Sequence, residues 1–269
     1  MMNKIGKALK ALWWIARKPV LLNRVLADED SWQGYVGKKF VMSEGLPVVT
    51  MDQLGINEMV SLGPMTFLDG GSLPTDMMLL AGLAEGIKEC RYFEIGTWRG
   101  ESVANVSSRS QSSYTLSLSD EELRSMGMHD KYISAHRQFS KEISNVTHLR
   151  ANSMTFDFAA LDQKFDLIFI DGDHHHDSIV SDTKNVFKHL VHDQSIIVWH
   201  DYGFYPDRVR FEVLAAILDG AGKELSGRIY QVAHTMCAIY TGSVLESVAG
   251  EFPADPQEFY KFDLSRKVL

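Results

Sequence analysis

The stretch FIDGDHHHD, residues 169–177, ends an apolar run abruptly in three carboxylates and three imidazoles. Side chains of these types bind divalent cations, move protons near neutral pH, or simply face water. A second run, SIIVWHDY, ends in His200 and Asp201. A third, YFEIGTWRGES, ends in a glycine-spaced turn: Gly96 permits the tight bend, Gly100 lets the backbone approach a ligand, and Glu101 opens a helix. Backbone N–H groups and the positive dipole end at such a helix start favour a carboxylate or phosphate. Glu94, just before the turn, can meet an ammonium. A ligand carrying both charges of an amino acid fits that pair.

What must position these groups is an alternation of strands and helices. Strand-like runs fall at residues 91–95, 114–118, 146–149, 166–171, 195–200, 228–232 and 236–240, with helical patterns at 101–110, 131–143, 178–190 and 207–218. Such alternation predicts a Rossmann-like, doubly wound, mostly parallel sheet of seven strands covered on both faces. The last two strands are separated only by AHT, which predicts an antiparallel hairpin at one sheet edge. In an open sheet of this kind ligands lie beyond the carboxyl ends of the strands, at the switch point. A helix over residues 73–88 precedes the first strand, with Pro74 in its first turn and Thr75 or Asp76 able to cap it. Residues 28–72, rich in Gly, Pro and acids, read as an irregular cap. The expected organisation is therefore 1–72 as N-terminal helix and cap, 73–245 as the ligand-binding domain, and 246–269 as a tail.

Composition narrows the function. A net charge of -8 argues against a protein that tracks nucleic-acid phosphates. Two cysteines, Cys90 and Cys237, sit in apolar strand-like runs and read as buried thiols of a cytoplasmic protein, not as a disulfide framework. No stretch approaches the roughly 20 apolar residues of a membrane span. The charge is unevenly placed: Lys4, Lys7, Lys10, Arg17, Lys18 and Arg24 precede the first acid, Asp28. Residues 3–18 put Ile5, Leu9, Leu12, Trp13 and Ala16 on one helical stripe, ended by Pro19. A helix of this kind docks on its own domain, on a partner subunit as in a homo-oligomer, or peripherally on the inner face of a membrane.

FEIGTWRGES, followed in order by YTLSLS, LRANSMTFDF, KFDLIFIDGDHHHD and SIIVWHDY, resembles the class I S-adenosylmethionine-dependent methyltransferases, in the form of small-molecule O-methyltransferases. The likeness spans roughly residues 75–242, and the bacterial members it most resembles modify sugars, polysaccharides and natural products. It implies S-adenosylmethionine as cofactor, held by Glu94, Gly96, Thr97, Trp98 and Gly100, with Ser102 on its carboxylate. Asn152 and Ser153 would meet the adenine, and Asp171 would border the same pocket. The position that usually carries an acid for the ribose is Ser117 here; Asp120 stands close enough to substitute. Metal-dependent relatives keep ligands at positions matching Asp171, His200 and Asp201. An imidazole serves Mg less well than a third oxygen would, so Mn, Fe and Zn are open as well. Catechol-type relatives carry a lysine base where His174 stands; with an ordinary pKa near 6.5, a histidine can take a hydroxyl proton at neutral pH. His200 is the other acid–base candidate in a metal-free site. His175 and His176 read as solvated or structural, Asp177 as the cap of the next helix, and Asp173 as a turn cap or an adenine contact.

The implied reaction is methyl transfer to a small hydroxylated acceptor, sugar-like or polyol-like. Two other classes compete with it. A non-catalytic scaffold keeping the fold is favoured by Ser117 and by LVHDQS in place of a glycine-rich turn. A nucleotide-sugar oxidoreductase is opposed by the missing G-x-G-x-x-G.

Overall fold

The computed structural model describes residues 3–22, 29–56, 59–256 and 258–268. Arg24 and Asp28 lie outside the described residues. Helix α1 (Lys4–Arg17) is followed by α2 (Glu29–Phe40), the short strand β1 (Val48–Val49) and α3 (Pro74–Gly86). Then come β2 (Arg91–Ile95), α4 (Glu101–Ser107), β3 (Ser112–Ser117), α5 (Asp120–Ser125), α6 (Asp130–Ala135) and β4 (Val146–Arg150). Strand β5 (Leu167–Ile170) leads into α7 (His176–Asn185), and β6 (Ile196–Trp199) into a small hairpin, β7 (Gly203–Tyr205) with β8 (Arg208–Val209). Helix α8 (Phe211–Ala221), β9 (Ile229–Val232) and β10 (Ala238–Tyr240) complete the order.

The main sheet runs β1-β9-β10-β6-β5-β2-β3-β4, with β10 antiparallel to both neighbours and the other pairings parallel. The expected Rossmann-like sheet is present, with two differences. It has eight strands among the described residues, and the β9–β10 hairpin is not at its edge. Pro47-Val48-Val49 supplies the extra strand, because β9 would otherwise leave a row of unpaired amides exposed.

Strand β5 is LIFI, buried throughout, as a parallel strand covered on both faces must be. Its side chains alternate between two cores. Ile168 and Ile170 join Phe93, Trp199 and the apolar face of α8; Leu167 and Phe169 join Tyr92, Val198, α3 and α4. The strand order reverses at β2, which lies between β5 and β3, so the switch point falls at the carboxyl ends of β2 and β5.

Residues 28–72 are not simply irregular. Two glycines, Gly34 and Gly37, obscure helix α2 in the sequence, yet it has acids in its first turn and lysines in its last, the charge order a helix dipole favours. It is clasped to the domain by polar contacts. Trp32 stacks on His176 at 4.9 Å, and the Tyr35 hydroxyl and Lys39 ammonium donate to Asp219 at 2.7 and 2.8 Å. Residues 131–143 form a shorter helix than their pattern suggests, because His136 and positive-φ Arg137 break it.

Candidate active site

Gly96 (φ +107°) is where β2 bends away, and a Cβ there would overlap the backbone carbonyl of Asp171. The glycine therefore serves the close approach of two strand ends. Gly100 (φ +80°) is similarly tight, but against the side chain of Ser140 and not open space. Between them Thr97 is buried against Thr115, and Trp98 stacks on Tyr132 at 4.3 Å. The turn is thus anchored on both sides.

Beneath it lies Glu94, without exposed surface. Its carboxylate accepts from Tyr92 at 2.9 Å and Thr115 at 2.8 Å, and from the Ser102 hydroxyl. Burial pushes its pKa up to about 7, against the pull of those three hydroxyls. A carboxylate offers about four acceptor positions, so one is left for a ligand. Ser102 faces this acid.

On the other side of the turn, β5 and β6 end side by side and bring Asp171, His200 and Asp201 together. His200 Nδ1 lies 3.2 Å from Asp171 Oδ1 and 3.5 Å from Asp201 Oδ2, close enough to pair by charge. It is buried and has no aligned hydrogen-bond partner. Burial alone would lower the His200 pKa; the Asp171 charge, helped by Asp201 and Asp76, holds it well above the usual histidine range. Asp201 has φ +56°, a left-handed conformation that aspartate tolerates, and it turns one oxygen toward two imidazoles. That oxygen is 2.9 Å from His174 Nδ1. The Asp201 hydrogen bond raises His174, against burial, so this imidazole keeps its proton to higher pH than an ordinary histidine. Ile170, Gly172, Asp173, Trp199 and Val213 complete the wall of a small cavity around these groups.

The remaining groups are more dispersed. Ser117 ends β3, and Asp120 nearby is engaged by Arg137 at 3.1 Å and Arg150 at 2.5 Å. Burial raises the Asp120 carboxyl, but the two guanidinium groups outweigh that and lower it. Asn152 accepts from the amide of Met154, closing a turn, and Ser153 hydrogen-bonds Asp182, whose buried carboxyl is raised to about 6. Asp177 is not the helix cap expected of it. His175 holds the N-cap position, Asp177 lies in the first turn, and Asp173 accepts from the His175 amide and the Ser178 hydroxyl instead. His175 is largely exposed, and His176 bridges Trp32 and Asp219.

Asp76, expected only as a candidate helix cap, has a second role at the site that sequence reasoning misses. It is wholly buried at the third position of α3 and accepts from the Leu73 amide at 2.7 Å, which is its capping role. The same carboxylate takes His200 Nε2 at 3.0 Å and the Met236 amide at 2.8 Å. With Nε2–H held by a carboxylate, the proton on Nδ1 is the one a metal would displace, and Nδ1 would then be the ligating nitrogen. Nothing local signals a partner 124 positions away. Asp76, His200 and Cys237 also cluster, but entirely within the core, where Asp76 is already occupied by amide donors. Of these two sets among the described residues, the Asp171, His200 and Asp201 set is the one that reaches solvent.

The amino-terminal approach is covered too. The Thr66 amide donates to Glu101, the Gly63 amide and Pro64 carbonyl bond Asn105, and Arg99 donates to the carbonyls of Leu68 and Asp69. Residues 63–69 thus form a strap along α4.

Sheet order, glycine turn and strand-end acids meet at the switch point of a doubly wound α/β domain. Residues 93–202 match the family model described as a methyltransferase domain. No curated protein sequence matches the chain. Among solved structures, the chain resembles the SAH-bound methyltransferase PaMTH1 of Podospora anserina at 20% identity and a TM-score of 0.46, over 64% of this chain and 80% of that one. It also resembles the O-methyltransferase TomG of Streptomyces achromogenes, in complex with SAM, at 17% identity and a TM-score of 0.44, over 64% and 82%.

Proposed function

We propose that the protein transfers a methyl group from S-adenosylmethionine to a hydroxyl of a small, sugar-like or polyol-like acceptor, assisted by a divalent metal. The observation that carries this reading is the convergence of Asp171, His200 and Asp201 beside the Gly96 turn, within a segment that matches the model of a methyltransferase domain. Glu94 has one acceptor position left for the cofactor's ammonium. The residues also fit a metal: His200 Nδ1 is a buried donor atom with no aligned partner, between two carboxylates and fixed from behind by Asp76. Bound there, a divalent ion would lower the pKa of an acceptor hydroxyl and orient it. His174, half-exposed at the cavity and oriented by Asp201, would receive the proton when in its neutral form. Positioning of the two reactants would supply most of the rate.

Calorimetric titration of the cofactor into the full chain tests the first step. Absence of any binding would remove this reading and favour a scaffold, to which Ser117 in place of the ribose acid and the hydrogen-bonded enclosure of Glu94 lend some support.

A further inference from the structure

Helix α1 has an apolar face that no described part of the chain covers. None of its side chains is buried: Ile5 is 71% exposed, Leu9 and Leu12 both 63%, and Trp13 49%. With Ile15 and Ala16 they occupy one side of the helix at its period of 3.6. Lys4, Lys7, Lys10 and Arg17 line its flanks and opposite side. We propose that α1 lies flat on an anionic lipid bilayer, its apolar face among the acyl chains and its lysines among the headgroups.

Charge selects this occupant. Residues 3–22 contain Lys4, Lys7, Lys10, Arg17 and Lys18 and no acid, while the whole chain carries -8. The rest of the molecule is therefore strongly acidic, and an anionic surface would repel it. A second copy of α1 would set its cations against another set of cations, with no acid to neutralise them. A bilayer surface with anionic lipid supplies both an apolar interior and a negative sheet. The indoles fit that boundary as well. Arg17 sits 4.4 Å over the Trp13 ring and Lys18 5.6 Å over the Trp14 ring, and tryptophan beside basic side chains is at home at headgroup level. The helix cannot cross: no helix among the described residues is long and apolar enough. It lies on the surface.

The test uses the full-length protein and sedimentation with vesicles of phosphatidylcholine, with and without about one-third phosphatidylserine. Binding is expected only to the anionic vesicles and should weaken with added salt. Replacing Lys4, Lys7 and Lys10 together by Gln should weaken it about 100-fold, at about fivefold per charge. The pair Leu9→Glu and Leu12→Glu should abolish it. Because these side chains are exposed, the melting temperature should not move, which separates lost contact from lost fold. Absent binding to anionic vesicles, or unchanged binding by the Leu9/Leu12 variant, would overturn the proposal. So would a wild-type dimer in sedimentation velocity that this variant dissociates, since the face would then belong to a second copy.

Discussion

Glu94 is a buried acid whose ionised form is unfavourable in the folded chain. Its pKa is raised to about 7, so the stability it confers when protonated is complete below its unfolded value and lost as pH rises through about 7. A Glu94→Gln variant should therefore be more stable than wild type at pH 8, by up to about 3 kcal/mol, and equal to it near pH 4. Thermal melts across that range check this. The ionised form is the one able to hold an ammonium. Cofactor affinity of the wild type should therefore fall about tenfold between pH 8 and pH 6, a dependence that Gln at 94 removes. Asp76 acts at the same scale through His200. Asp76→Asn leaves the shape intact but cannot demand the Nε2–H, so metal affinity measured by calorimetry should fall about 10- to 100-fold. Unchanged affinity would mean that the Asp76–His200 contact serves only packing.

At the scale of elements, the Gly96 turn and the α2 clasp carry distinct consequences. Gly96→Ala would force a Cβ into the Asp171 carbonyl at a φ that alanine rarely adopts. The expected result is loss of the folded state, read as a missing melting transition. A larger side chain here is therefore uninformative about cofactor binding. Trp32→Ala should cost about 2 kcal/mol, by removing a partly buried aromatic stacked on His176, with the sheet otherwise intact. A denaturant titration checks it. These elements differ in how legible they are. The strands were plain because LIFI and IIVW are continuous apolar runs between turns. Helix α2 was hidden by its glycines, and β1 by being two residues long. At the site, Asp171, His200 and Asp201 could be singled out through the resemblance to metal-dependent methyltransferases, whose ligand positions at strand ends they match. Asp76 could not, since its partner is fixed only by the packing of α3 beside β6. The strap over α4 escaped notice for the same reason.

Across the whole molecule, the glycine turn at β2 meets an acid–imidazole cluster at β5 and β6 at one switch point. In the proposed reaction this cluster acts on an acceptor hydroxyl with a divalent ion. The most direct measurement is methyl transfer from labelled cofactor to a panel of polyols, with chelator and then with metal restored. Wild type should lose activity in chelator and regain it with Mn²⁺ or Mg²⁺. Asp201→Asn, which keeps the left-handed backbone but weakens the ligand, should need a metal concentration about 10-fold higher or more. Full activity in chelator, abolished by His174→Ala, would contradict the metal and leave the histidines as the acid–base groups.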